Sequence, residues 1–208
     1  MSKPAEDKSG FNLSTHRIEA LSDGIFAFAM TLLVLTLTLP DTLGQSTNIG
    51  LPDLLSGQVH KFLNYFFSFL ILAIFWIMHH QQFHWIRRVD TRLLWINIIT
   101  LMFVALMPFS TDIAGDFSDE VAAEVFFAGN VMALGLLLLA NWAYATRNHG
   151  LVDSDIGQKV IVLELKRNTV IPLISAIVIG LSFFISPWSL WLYVITPFVL
   201  LFGPLRYY

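Results

Sequence analysis

Long apolar stretches separated by short polar linkers are the dominant pattern of this 208-residue chain. A helix needs about 20 consecutive apolar residues to cross the hydrocarbon core of a bilayer. Six stretches reach that length, at approximately 17–40, 59–84, 92–111, 121–146, 166–186 and 188–206. The pattern therefore predicts an all-α integral membrane protein with six transmembrane helices. Only Ser186-Pro187 separates the last two stretches, which predicts a tight hairpin there.

The composition agrees with a membrane protein. Hydrophobic residues make up 56% of the chain and charged residues 13%, about half the charged fraction of a soluble domain. The chain has no cysteine, which excludes a disulfide, a thiol nucleophile and a cysteine-ligated metal. Residues 1–16 are polar and are predicted to form an N-terminal tail, so that residues 17–208 form one six-span transmembrane domain.

The distribution of basic residues predicts the orientation in the membrane. With the N-terminus inside, eleven of the twelve lysines and arginines fall in cytoplasmic segments, and Lys61 is the exception. The outer linkers instead carry acids, among them Asp112, Asp116 and Asp119. The positive-inside rule therefore places both termini in the cytoplasm, as an even number of spans requires. The acids either raise the cation concentration at an outer mouth or form a solvated loop.

The first apolar stretch begins with charged residues. Arg17, Glu19 and Asp23 lie on its first turns. An ionised group at membrane depth is costly unless it has a partner or an aqueous path. Glu19 and Asp23 are also four residues apart, a like-charge pair that disfavours an isolated helix. The sequence therefore predicts that other helices supply partners for this end of the first helix.

The same segment carries a family signature. It reads Arg17-Ile-Glu-Ala-Leu21-Ser22-Asp23 and resembles the pattern of Arg, three residues and Phe-Ser-Asp in the TMEM175 family of potassium-permeable channels. Leu21 stands in the phenylalanine position. Weaker similarities lie at 75–80 in the second stretch and at 97–109 in the third.

The resemblance implies a function and an assembly. Bacterial members are six-span chains in which the first helices of four subunits line one pore. This chain is therefore expected to be a homotetrameric, potassium-permeable cation channel, multi-pass in the cell membrane of a bacterium. Its expected partners are the lipid bilayer and potassium and other monovalent cations. Neither a cofactor, nor an enzymatic activity, nor a nucleic acid is expected.

The resemblance also implies a signature network on the cytoplasmic side of the first helix. Carried over by position, its members are Arg17, Ser22, Asp23, Trp76, His79, His80 and Asn97. The residues give partial support, because Trp76 and His80 share a helix face at the predicted depth of Asp23. Indole and imidazole groups are suitable partners for a carboxylate. The alternative is that the two histidines extend to the interface beside Arg87 and Arg88.

The pore-lining positions implied by the resemblance are Phe28, Thr31, Leu32 and Leu35. These follow the i, i+3/i+4, i+7 spacing of one helix face, although periodicity alone cannot choose a face on a helix that is apolar all round. The alternative is a lipid-facing or packing stripe. The chain lacks a Thr-Val-Gly-Tyr-Gly filter, so the expected constriction is a ring of apolar side chains that gates by dewetting. Thr31 is the candidate for discriminating potassium from sodium, or else it bonds only to its own helix.

Other function classes are less consistent with the sequence. An ion- or proton-coupled transporter is the alternative, but it usually shows inverted repeats or ionisable groups near mid-membrane. An intramembrane enzyme needs a nucleophile and base or a metal set. His80 and His84 have a spacing that can bind zinc on a helix, but no third ligand accompanies them, and no metal site is assigned.

Overall fold

The computed structural model describes residues 14–38, 50–185 and 188–197, and nearly all of them lie in helices. The long helices are α1 (Thr15–Leu32), α3 (Val59–Trp85), α4 (Thr91–Asp116), α5 (Val121–Thr146) and α6 (Gln158–Ile185). A short helix, α2, spans Leu51–Gly57. Segments of 3-10 helix lie at Leu33–Thr36, Arg147–His149 and Trp188–Val194.

Among the described residues, five helices are long and apolar enough to cross a membrane, and α1 reaches that length together with its 3-10 extension, Thr15–Thr36. The sixth predicted crossing, 188–206, is described only as far as residue 197. The predicted hairpin at Ser186-Pro187 and most of the predicted tail, residues 1–13, lie outside the described residues. The all-helical membrane architecture is confirmed.

Two element boundaries differ from the sequence-based expectation. Helix α6 begins at Gln158, eight residues before the predicted span 166–186, so residues 158–165 are its first two turns rather than a separate short amphipathic helix in the linker. Packing explains this extension, because Ile161 is buried and its carbonyl accepts a hydrogen bond from the Trp142 indole at 3.1 Å. The second difference is helix α2, with Pro52 in its first turn, which lies in the linker between the first two predicted spans.

The helices surround one main hydrophobic core. Among the described residues, helix α5 packs along both α4 and α6, whereas α1 makes its main contacts with α3 and α4 and lies at the edge of these helices. The core combines residues of all five long helices, among them Phe26, Phe75, Val104, Leu134 and Ile171. A second cluster, which includes Ile18, Phe83 and Trp142, fills the opposite end, which is named the cytoplasmic end after the orientation that the basic residues predict.

The two cytoplasmic linkers hold each other. Ile86 and Val152 form an antiparallel bridge, and the backbone amides of Arg87 and Arg88 donate to the Leu151 carbonyl. The Arg87 guanidinium lies 3.1 Å from the Asp153 carboxylate. The backbone amide of Asp155 and the Arg87 guanidinium both favour the ionised carboxylate, and together they lower the pKa of Asp153. The cytoplasmic ends of α3 and α5 are thereby fixed relative to each other.

Helices α5 and α6 approach each other closely where Gly135 faces Pro172. A Cβ atom added at Gly135 would lie 2.7 Å from Cδ and 2.8 Å from Cγ of the Pro172 ring. That distance is far below van der Waals contact, and a rigid pyrrolidine ring cannot move aside as a flexible side chain can. By contrast, a Cβ at Gly129, on the same helix, would meet nothing within 4 Å.

We therefore expect Gly135→Ala to destabilise the protein by about 1–3 kcal/mol through overpacking. Gly129→Ala is the matched control and should be neutral or stabilising, because alanine favours the helix by up to about 1 kcal/mol over glycine. Thermal unfolding of both variants in the same detergent measures the difference. Equal melting temperatures for the two variants would contradict this account of the α5–α6 contact.

Candidate functional site

Helix α1 presents two faces of different character. The face toward α3 and α4 buries Ile18, Ser22, Phe26 and Ala29 and continues with Leu33. The opposite face is open in the single subunit, with Leu21 50%, Phe28 65% and Leu35 67% exposed. A polar side chain on the buried face needs a partner, since a buried polar group without a hydrogen bond is costly.

Ser22 is part of a buried chain of hydrogen bonds. The Asn97 side-chain amide donates to the Ser22 hydroxyl at 3.3 Å, and the Asn97 carbonyl oxygen lies 2.8 Å from Nε2 of His79. The His79 ring is enclosed by Phe26 and Phe83, with ring centroids at 5.7 and 4.5 Å. All three polar side chains are almost fully buried. This chain joins α1 to α4 and α4 to α3.

Asp23 forms a second contact next to the first. The Trp76 indole N–H donates to the Asp23 carboxylate at 2.8 Å. On the next turn of α3, His80 stacks on the Trp76 ring with centroids 5.9 Å apart. Asp23 and His80 are exposed in the single subunit, so this contact lies at the margin of the buried chain. Its effect is to join the cytoplasmic half of α1 directly to α3.

Two charged residues at the start of α1 are not joined to this arrangement. The Arg17 side chain is exposed and Glu19 is half-buried. Across residues 14–38, 50–185 and 188–197, neither side chain makes a hydrogen bond or ion pair. The structure therefore brings six of the seven predicted network residues into two adjacent contacts. Ser22, Asn97 and His79 form one hydrogen-bonded chain, and Asp23 is hydrogen-bonded to Trp76, on which His80 stacks. It does not bring Arg17 to them.

The predicted pore-lining residues occupy the open face of α1 or its border. Phe28, Thr31 and Leu35 are exposed, and Leu32 is half-buried between the two faces. The Thr31 hydroxyl donates to the Phe28 carbonyl at 2.7 Å. Its oxygen keeps lone pairs that can accept a further contact, such as a cation. Leu35 lies on the 3-10 segment Leu33–Thr36, where the helix tightens.

A second polar cluster lies on another side of α3 and was not predicted. Gln82 donates to the Leu138 carbonyl at 3.0 Å and to Asn168 at 3.2 Å, and it accepts from Asn141 at 2.9 Å. Arg167 donates to Gln81 at 2.6 Å. The available signal was the presence of amide side chains inside apolar stretches, since such groups must pair with one another.

The structure places the histidine pair considered for zinc on the exposed side of α3. His80 and His84 are both exposed, and His84 packs against Trp85. Within the part of the chain that the structure describes, no group of three or more His, Cys, Asp or Glu side chains is placed to hold a metal ion.

Residues 17–108, which contain the signature network and the predicted pore-lining positions, match the family model described as endosomal/lysosomal potassium channel TMEM175. A potassium channel of Streptomyces collinus is 34% identical over 179 residues, which cover 84% of this chain and 85% of that protein. A potassium channel of Chamaesiphon minutus is 31% identical over 190 residues, which cover 89% of this chain and 91% of that protein.

Solved structures agree with the sequence comparison. The crystal structure of a lysosomal potassium-selective channel TMEM175 homolog from Chamaesiphon minutus superposes with a TM-score of 0.76 at 25% sequence identity. The match covers 91% of this chain and 98% of that chain. The similarity thus extends over nearly all of both proteins, and the chain belongs to the TMEM175 family.

Proposed function

We propose that this protein is a potassium-permeable channel in which the open face of α1 lines the ion pathway. One observation carries the proposal: hydrogen bonds fix the buried face of α1 to α3 and α4, while Phe28, Thr31 and Leu35 are left uncovered. The relatives from Streptomyces and Chamaesiphon are named potassium channels, which supports the same function.

The proposal includes an assembly of four copies around one axis. A single subunit offers one narrow stripe of α1, and a stripe alone cannot enclose water. Four stripes facing one another make a closed pathway, and the position of α1 at the edge of the subunit is compatible with this arrangement. Arg17 and His80 are exposed polar groups at the cytoplasmic end, accessible to a neighbouring copy.

The narrowest part of the pathway is assigned to the apolar rings of Phe28, Leu32 and Leu35. Apolar constrictions control ions by dewetting, because an ion must shed water to pass and gains no replacement ligand there. The Thr31 ring supplies the exception. Four hydroxyl oxygens at one level give partial coordination, and we assign to them the preference for potassium over sodium.

The signature network sets the orientation of the lining face. Two contacts act on successive residues of α1, namely the Ser22–Asn97–His79 chain and the Asp23–Trp76 hydrogen bond. Together they leave α1 little freedom to rotate about its axis. We place the network at the cytoplasmic side of the cell membrane, with both termini in the cytoplasm and six crossings in all. The excess of basic residues in the inner segments supports this orientation.

Purified protein in liposomes provides the test of the function. We expect potassium to move down its gradient without a coupled substrate, with unitary currents far above transporter turnover. A potassium flux that requires a second substrate or an opposing proton gradient would favour a coupled transporter. Chemical crosslinking should yield species up to a tetramer, and a ladder that ends at the dimer would contradict the assembly.

Thr31→Val tests the selectivity assignment. Valine keeps the shape of the side chain and removes its oxygen, so the potassium-over-sodium preference should fall while the pathway stays open. The reversal potential under biionic conditions measures the preference. Thr169→Val is a matched control, because the Thr169 hydroxyl donates to the Leu165 carbonyl of its own helix α6. An unchanged reversal potential would remove Thr31 from this role.

Phe28→Ala tests the position of the constriction. The substitution removes an aromatic ring that is 65% exposed in the single subunit, so little packing within the subunit is lost. A wider and more easily wetted ring should raise the unitary conductance. Phe183→Ala is the control, because the Phe183 ring is 66% exposed on α6, away from the proposed pathway. Equal conductance in wild type and Phe28→Ala would mean that the narrowest ring is elsewhere.

A further inference from the structure

Lys61 joins three segments at the outer end of the subunit. It lies in the first turn of α3 and is the one basic residue of the chain that the predicted topology places outside. Its ammonium forms an ion pair with Asp116 at the end of α4. The same ammonium donates to the Thr38 hydroxyl at 3.4 Å. The lysine side chain is 15% exposed, so these contacts are shielded from solvent more than those of an ordinary surface lysine.

The contact with Thr38 connects this cluster to the first transmembrane segment. Thr38 lies two residues beyond the 3-10 segment Leu33–Thr36, and three residues beyond Leu35. Leu33 and Thr36 pack inward, and the Thr36 hydroxyl donates to the Leu33 carbonyl at 2.8 Å. The packing of the 3-10 segment therefore fixes its inner face, and Lys61 holds the chain just after it.

The same corner of the subunit is braced by a second polar contact. The Asn64 side-chain amide, one turn along α3 from Lys61, donates to the Ala114 carbonyl at 3.3 Å. A Cβ atom at Gly115 would contact both the Lys61 and the Asn64 side chains, at 3.7 and 3.8 Å. The outer ends of α3 and α4 thus form a firm support on which the Lys61 ammonium is held in place.

From these contacts we infer that Lys61 is a positioning residue for ion conduction. It fixes the outer end of the first transmembrane segment to α3 and α4, and thereby holds Leu35 at the level where it lines the proposed constriction. This inference rests on the proposed function, because only a lining role for Leu35 makes its position matter to ion flow. The Asp116 carboxylate holds the Lys61 ammonium in place, within hydrogen-bond reach of the Thr38 hydroxyl.

Lys61 also acts on the local charge, and this second effect must be separated from the first. Its ammonium neutralises Asp116, with Asp112 close by on α4. Removal of the lysine would leave two acids without their cation and raise the local cation concentration. That effect is electrostatic, so it weakens as salt shortens the Debye length to about 3 Å at 1 M. The positioning effect should persist in high salt.

Thr38→Val separates the two effects, because it removes the acceptor and leaves the Lys61–Asp116 ion pair intact. Lys61→Met removes both the hydrogen bond to Thr38 and the ion pair with Asp116, whereas Lys61→Arg keeps the charge and a donor. Thr169→Val again serves as the control. Since the chain has no cysteine, Leu35→Cys can report the position of Leu35 through its reaction rate with a water-borne thiol reagent. Each variant is combined with Leu35→Cys for labelling in liposomes. Biionic reversal potentials are recorded on each variant without Leu35→Cys, both at low salt and in 1 M salt.

We expect Thr38→Val and Lys61→Met to change the labelling rate by about two- to tenfold, the range that corresponds to one lost hydrogen bond. Both should lower the potassium-over-sodium permeability ratio, whereas Lys61→Arg and Thr169→Val should behave as wild type. Unchanged labelling and permeability in Thr38→Val would overturn the inference, as would a Lys61→Met effect seen only at low salt. If the wild type carries no potassium flux, the proposed channel function fails. A changed labelling rate in that case supports only the attachment of Thr38 to Lys61.

Discussion

The arrangement of this subunit depends on how polar groups at the cytoplasmic end of α1 are satisfied inside an apolar protein. Ser22 and Asp23 are neighbours in sequence and point to different partners, Asn97 on α4 and Trp76 on α3. Two such bonds from adjacent residues define a rotation of the helix, because a turn of 100° about its axis would break both. Leaving the buried Ser22 hydroxyl without its partner would cost about 1–3 kcal/mol. The open face of α1 is thus a consequence of its bonded face.

Helix α3 carries this constraint into the rest of the subunit. One side of its cytoplasmic half holds α1 and α4 through Trp76 and His79, and the next residues, Gln81 and Gln82, contact α5 and α6. Amide side chains suit such a position because each one donates and accepts at once. The linkers at the cytoplasmic surface, joined by Arg87 and Asp153, fix the end of the same helix. The rotation of α1 is consequently defined relative to all four other long helices, not to its two neighbours alone.

The sequence predicts the helical membrane architecture well because hydropathy is a local property. It mislocates the start of α6, since Glu164 falls in the linker before the predicted stretch 166–186 and Arg167 at the very start of that stretch. The structure buries both, with the guanidinium 3.9 Å from the carboxylate and bonded to Gln81. Pairing of this kind depends on which helices become neighbours, and a hydropathy profile contains no such information. For the same reason, the hydropathy profile does not predict the Gln82–Asn141–Asn168 cluster or the contact between Lys61 and Thr38.

The face of α1 that stays open is a second feature that the hydropathy of the sequence does not predict. The helix is apolar on all sides beyond Asp23, so periodicity gives no answer, and the resemblance to a family supplied Phe28, Thr31 and Leu35. In the structure these three are exposed because Ile18, Ser22, Phe26 and Ala29 take the inner face. The polar residue of that inner set, Ser22, was visible in the sequence. Ser22 needs a partner, and this requirement marks its face of the helix as the inner one. Phe26 and Ala29 follow on the same face at i+4 and i+7, so the same orientation results without the family.

The two ends of the first transmembrane segment are held by different physical means. At the cytoplasmic end the bonds of Ser22, Asn97 and His79 lie in a closed apolar shell, where salt has little access. At the outer end the first segment is attached by the Lys61–Thr38 hydrogen bond, at 3.4 Å. The acid that pairs with Lys61, Asp116, is 43% exposed, and exposed ion pairs are screened and contribute about 0–1 kcal/mol. The outer attachment is therefore the weaker one. The proposed pathway can widen by a motion that pivots on the Ser22–Asp23 contacts and moves Leu35. Such a motion breaks fewer interactions than one that moves the cytoplasmic end. The Leu35 ring is therefore the part of the proposed constriction that is easiest to displace.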